Sequence, residues 1–280
     1  MGKIATTWDL MKSSWRVLMQ DKSLLLLPLI SGIAGLLVLA AFILPIIGTG
    51  GGLGHSTSPS LTTYVVAFSY YLCNFFVIYF FNAALVDYVV TRLRGDEPTI
   101  GNSLREAASC APQIALWAIA AATVGVVLQA IQSRAGFLGK LVAGLLGIAW
   151  TLVTFFVVPM IVIERKGAIE AISASTSMVK NTWGQQVVSG VGYGLIGFLL
   201  TLPAIVIGVL LLVVLGASGA HGFAPYALVV LACILWIIAV AVVMSALRAI
   251  FGVVLYLFAK TGKVPAGFAE QDLRNAIAAA

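Results

Sequence analysis

Charge is what this sequence has least of. Only 9% of its 280 residues are Asp, Glu, Lys or Arg and 61% are apolar, whereas ordinary soluble domains carry about 25% charged residues. A soluble chain this apolar would expose large greasy patches and aggregate, which excludes a water-borne globular protein. Lipid removes the conflict, because it is the solvent for the apolar side chains. Histidine is almost missing too. The two present, His55 and His221, fall in glycine-rich loops without carboxylates nearby, and no HExxH occurs, so no metal site is expected. The three cysteines, Cys73, Cys110 and Cys233, are scattered and form no CxxC. That argues against a disulfide framework or a zinc site and leaves them as small packing residues. Neighbouring carboxylates occur only at Asp96–Glu97, in a turn before Pro98. A membrane enzyme would show a cluster of ionisable groups within its spans. This chain does not, so no catalytic residue and no cofactor is expected.

What is present is long apolar runs. Six stretches reach the roughly 20 residues needed to cross a bilayer: Leu24–Ile47, Thr62–Val90, Pro112–Gln132, Leu141–Ile163, Gln186–Leu215 and Tyr226–Ala259. The first is too long for a signal-peptide core and lacks a convincing small-residue cleavage site, so it reads as an uncleaved span. No loop is long enough to hold a core. Residues 1–280 are therefore expected to form one all-α membrane bundle of three helical hairpins.

The net charge of +6 could suggest nucleic acid, but that needs a clustered basic patch. The basic residues instead sit in small groups between spans. Lys3, Lys12, Arg16, Lys22, Arg92, Arg94, Arg105, Arg165, Lys166, Lys180, Lys260, Lys263 and Arg274 fall on one side of a six-span chain. Arg134 and Lys140 alone fall on the other. The excess predicts that both termini are cytoplasmic, in the inner membrane of a prokaryote.

The basic side also carries amphipathic segments. Residues 4–19 place Ile4, Trp8, Met11, Trp15 and Leu18 on one helical face, suited to the headgroup boundary. Residues 167–183 repeat the design with Ile169, Ile172, Thr176, Val179 and Trp183. Residues 99–111 give a weaker copy with Ile100, Leu104 and Ala108, stopped at Pro112. The chain thus parses as three units, each an interfacial helix followed by a membrane hairpin, with Trp8, Trp15 and Trp183 as interfacial anchors. A short helix through Leu273 and Ile277 is expected in the tail.

Polar residues within the spans are the default functional candidates, because burying them in lipid is costly. Arg248 lies eleven residues before Ala259, roughly 16 Å from that end at helical rise. Asp87 is its expected partner by charge, with Glu164 as the alternative. Asn74 and Asn82 lie eight apart, close to one face of the second span, and suit hydrogen bonding to another helix. The aromatics of that span surround it on all sides and read as packing and lipid-facing groups. Pro28, Pro159 and Pro203 are the kink candidates, and broken helices rich in polar groups are not expected. Gly192–Gly197 matches GxGxxG, but inside an apolar helix with no preceding strand it fails its own context. Gly190, Gly194, Gly197, Gly144 and Gly147 better suit close helix packing. Ser177–Lys180 matches SxxK without the pocket that chemistry needs.

Three blocks carry a family likeness: Ser13–Ser14–Trp15 with Asp21–Lys22 and Leu27–Gly32; Arg92–Thr99; and Phe155–Pro159 with Glu164, Gly167–Ile172 and Asn181–Gly184. Together they resemble an uncharacterised family of prokaryotic six-span membrane proteins. More distantly, Pro159 to Trp183 is similar to the membrane domain fused to some glycerophosphodiester phosphodiesterases. That domain is not the catalytic one, so the resemblance implies topology and setting, with no catalytic residues to transfer. Two functional expectations follow. One is a non-enzymatic scaffold or accessory protein that contacts lipids, copies of itself or other membrane proteins. The other is a channel or transporter using Arg248 and Asp87.

Overall fold

The computed structural model describes residues 3–48, 61–134, 136–217, 222–265 and 268. His55, His221, the Trp183 side chain and the expected tail helix lie outside the described residues. Among those described, all regular structure is helical: α1 (Lys3–Gln20), a 3₁₀ turn (Lys22–Leu25), α2 (Leu26–Gly48), α3 (Leu61–Arg94), α4 (Ile100–Ser109), α5 (Ala111–Arg134), α6 (Phe137–Val153), α7 (Val157–Glu164), α8 (Ala168–Ala217) and α9 (Phe223–Thr261). Six stretches are long and apolar enough to cross a membrane: Lys22–Ile47, Tyr64–Arg94, Ala111–Gln132, Gly139–Glu164, Ile196–Ala217 and Ala224–Thr261. The chain is a multi-pass membrane protein.

Local chemistry sets the helix ends. Asp21 accepts the Ser23 N–H at 3.0 Å and opens the 3₁₀ turn, and its other oxygen receives the Tyr88 hydroxyl at 2.9 Å. The Thr99 hydroxyl caps α4 by accepting the Asn102 N–H at 3.2 Å. Gly95 ends α3 and Gly262 ends α9, both at positive φ, where a residue without Cβ is least strained. Pro28 sits in the first turn of α2, where no N–H is needed. Pro45, which the sequence reading passed over, and Pro203 lie inside α2 and α8.

Two expectations about the spans need correction. The fourth span is not one helix. It breaks at Thr154–Phe156 between α6 and α7, one turn before Pro159, which has no N–H to give the Phe155 carbonyl and whose ring crowds that carbonyl. The reverse holds for residues 167–183. They are not a separate surface helix but the start of α8, which runs unbroken for 50 residues.

The buried faces also differ from the apolar stripes. In the first three turns of α8, up to Val179, the buried residues are Ala168, Ala171, Ser175 and Val179, while Ile169 is 85% exposed. In α4 they are Ser103 and Ala107, followed by Cys110, and Ala108 is exposed. In α1 they are Leu10, Met11, Ser13, Ser14, Val17 and Leu18, and Trp8 and Trp15 flank them at 47% and 44% exposure. In α8 and α4 small side chains let the helix approach the bundle closely, whereas α1 buries Leu10, Met11, Val17 and Leu18 and turns its two indoles to the flank.

The core lies toward the end of the bundle where the basic residues gather. Residues 157–162 of α7 are all buried, as expected of a helix apolar on every side and enclosed by others. Helices α3 and α8 pack most against it, and the same core takes in Leu10 and Leu18 of α1, Ile114 and Trp117 of α5, and Ile250 and Tyr256 of α9. Farther out, α2, α8 and α9 present Leu37, Leu210 and Leu235 outward, the surface a bilayer covers. Helices α8 and α9 approach closely at Gly208, where a Cβ would meet Cys233 Sγ inside van der Waals contact. Cys233 and Trp236 donate to the Ala204 and Leu200 carbonyls at 3.3 and 2.9 Å. The glycines expected to do this work do less. Gly144 and Gly194 face open space, and Gly147 and Gly197 make ordinary contacts with Leu128 and Met244.

Candidate functional site: a polar cavity beside a broken helix

The break in the fourth span is repaired from outside. Ser175 of α8 is fully buried. Its hydroxyl donates to the Val153 carbonyl at 2.6 Å and accepts the Phe156 N–H at 3.2 Å. One side chain thus satisfies a donor and an acceptor that the break would leave unpaired in an apolar interior. Thr154 keeps its own hydroxyl on the Trp150 carbonyl at 2.7 Å.

Next to this junction lies a cavity of about 650 Å³, in the range of ligand pockets, bounded by α3, α5, α6, α7, α8 and α9. Its α9 wall is a stripe at spacings of three and four: Ile237, Val240, Ala241, Met244, Ser245, Arg248, Ala249, Gly252 and Val253. Arg248 falls within that stripe and so faces the cavity. From α3 come Tyr79, Asn82 and Val86, again three and four apart. Trp117 of α5, Trp150 and Thr151 of α6, and Gly194 and Thr201 of α8 complete the polar and aromatic lining. A chain of ring contacts leads to it. Phe75 meets Tyr79 at 5.9 Å, Tyr79 meets Trp117 at 5.3 Å, and Trp117 meets Trp150 at 5.8 Å. The aromatics of the second span are therefore more than lipid-facing filler, although their periodicity does not reveal it.

The electrostatics are one-sided. Among the described residues no Asp or Glu lines the cavity. Among the described residues no ion pair or hydrogen bond joins Arg248 to another side chain. The expected Asp87–Arg248 pair is absent: Asp87 follows Val86 by one residue, about 100° around α3, and does not line the cavity. Glu164 is taken as well. It accepts from Lys260 at 2.8 Å and from the Tyr256 hydroxyl, and pairs with Lys166 at 3.0 Å. Nearby, Arg165 binds Glu106, Ser109 and Cys110. Arg165 has positive φ and ends α7. These two clusters tie α4, α7 and α9 together at the basic end. Asn74 reaches only Tyr70 of its own helix, at 3.5 Å, so it does not bridge helices. Asn82 points to the cavity with no hydrogen bond among the described residues.

Two buried polar atoms lack partners among the described residues: the Trp117 indole nitrogen and Gln113 Oε1, one turn apart on α5. Native interiors leave few such groups. Trp117 and Trp150 were not singled out from sequence. A tryptophan in an apolar span carries no signal of its own, and only the packing of α5 against α3 and α6 brings these rings to one wall. Among the described residues no group of three or more His, Cys, Asp or Glu could hold a metal ion.

No curated protein and no solved structure matches the chain. A family model matches residues 61–268, a range that holds Asn82, Trp117, the helix break, Ser175 and Arg248. The chain belongs to the family of unknown function DUF6159.

Proposed function

We propose that this protein is a non-enzymatic accessory protein of a prokaryotic cytoplasmic membrane, with both termini cytoplasmic, that binds an amphiphilic lipid between its helices. The observation that carries this reading is the cavity beside the helix break: mostly apolar walls with a few convergent polar groups, the usual make-up of a small-molecule site. The outward leucines of α2, α8 and α9 and the exposed Trp8, Trp15 and Ile169 add a broad lipid-contacting surface. The distant likeness to a membrane domain fused to phosphodiesterases agrees, since that domain is not catalytic. The test is the lipid content of the full chain purified in mild detergent. A stoichiometric lipid that copurifies, and is lost when Gly194→Phe fills the cavity, is expected. Lipid content unchanged by that substitution would reject the site.

A second reading, transport, draws on the same place. Transporters put their sites where helices are interrupted, and here an interrupted helix adjoins an arginine-lined cavity. Flux through proteoliposomes that Arg248→Ala abolishes, with the fold intact, would favour it over the accessory reading.

A further inference from the structure

We propose that the cavity selects an anion: the phosphate or carboxylate head of an amphiphile, held by Arg248. This rests on the reading of the cavity as an amphiphile site and goes on to name the chemistry it takes. Among the described residues the guanidinium is the only formal charge on the cavity wall. Among the described residues it has no counter-ion, since Glu164 is engaged by Lys260 and Lys166 and Asp87 is turned elsewhere. An uncompensated cation at membrane depth costs several kcal/mol or draws in an anion. Arginine is suited to this work, because its planar fork binds two oxygens of a carboxylate or phosphate at once.

Two further donors fit the same ligand. Asn82 lines the cavity from α3 with its amide unengaged among the described residues. The indole N–H of Trp117, a cavity-lining residue, is buried without an acceptor, and the oxygen of an anionic head would satisfy it. The hydroxyls of Thr151 and Thr154 are already spent as donors on the Gly147 and Trp150 carbonyls. Among the described lining residues the donors still unspent include those of Arg248, Asn82, Trp117 and Ser245. Most other lining groups, including Val86, Phe155, Val158, Phe198, Val240 and Met244, are apolar and fit a hydrocarbon tail rather than a free sugar or nucleotide. The site lies toward the basic end of the bundle. Trp117 is six residues into α5, about 9 Å along the helix, so a head bound there sits just below the headgroup layer and its tail runs on along the apolar lining.

The test titrates the delipidated full chain in micelles with phosphatidylglycerol, diacylglycerol, oleate and inorganic phosphate, reading occupancy by native mass spectrometry and the shift in Tm. Phosphatidylglycerol or oleate should bind at least tenfold more tightly than diacylglycerol, which has no anionic head. Arg248→Gln should lower the anionic affinity about 10- to 100-fold, the worth of a charge-assisted hydrogen bond, while leaving diacylglycerol unchanged. Trp117→Phe keeps the ring and should cost a smaller factor. Binding by phosphatidylglycerol but not oleate would identify a phosphate head, and the converse a carboxylate. A Tm shift from inorganic phosphate alone that Arg248→Gln removes would identify a free anion as sufficient. Equal binding of neutral and anionic lipid by the wild-type chain would overturn the proposal, and that comparison needs no variant to fold. Gly194→Phe separates the two levels. If it leaves all lipid binding intact, the cavity itself is not the site. If it removes binding that shows no charge preference, the cavity stands and the anion falls.

Discussion

Ser175 is the most exposed to direct test, because one oxygen holds the helix break closed. Ser175→Ala removes a donor to the Val153 carbonyl and an acceptor for the Phe156 N–H, at 2.6 and 3.2 Å. Ser175 and Phe156 are both fully buried, so water cannot replace the lost oxygen. Each orphaned buried group costs about 1–3 kcal/mol. Hydrogen bonds between membrane helices average about 0.6 kcal/mol and reach about 1.7, because the unfolded chain in the membrane also finds partners. The Ser175 site belongs at or above the top of that range, since two backbone groups lose their partner together. The expected loss is about 2 kcal/mol. Ser177→Ala is the control: its hydroxyl is on the same helix, bonds only to the Ser173 carbonyl at 3.1 Å and is exposed, so its loss should be near zero. The assay is reversible unfolding in mixed micelles with increasing denaturing detergent, followed by circular dichroism. If the two variants differ by less than about 0.5 kcal/mol, within the usual scatter of independent sites, the idea that Ser175 closes the break is wrong.

Gly208→Ala should destabilise the α8–α9 hairpin by about 1–3 kcal/mol through overpacking, because the added Cβ meets Cys233 Sγ. Adding Cys233→Ala should recover part of that loss, and strictly additive effects in the cycle would show that the two residues do not touch. Asp87→Ala and Arg248→Leu should be additive within about 0.5 kcal/mol, since no ion pair joins them; a recovery in the double variant would restore the pairing that the sequence suggests. Glu164→Gln should cost about 1–2 kcal/mol through its bonds to Lys260 and Tyr256, with a gap to wild type that narrows as salt rises. A gap unmoved by salt would mean the cluster holds by packing alone.

Composition and hydrophobic run length were enough to read six spans and the all-helical class. These depend on how each residue partitions between water and lipid, a property that needs no partner. The start of α4 at Thr99 was legible for a related reason, because capping involves only nearby residues. Which face of each amphipathic helix is buried was not legible. Apolar stripes predict contact with something apolar, but in a bilayer both lipid and protein qualify. Ala171 and Ser175 therefore took the protein side, through small size, and Ile169 was left outward. Charge alone nominated Asp87 and Glu164 for Arg248, yet helix rotation gave Glu164 to Lys260 and Lys166 and turned Asp87 away from the cavity. Pro159 marked a kink, but its consequence depended on a serine 16 residues later, brought back by the packing of α8. Partition into lipid is written residue by residue in the sequence. The pairing of buried polar groups is a property of helix contacts, and it is there that Arg248, Asn82 and Trp117 came to share one cavity.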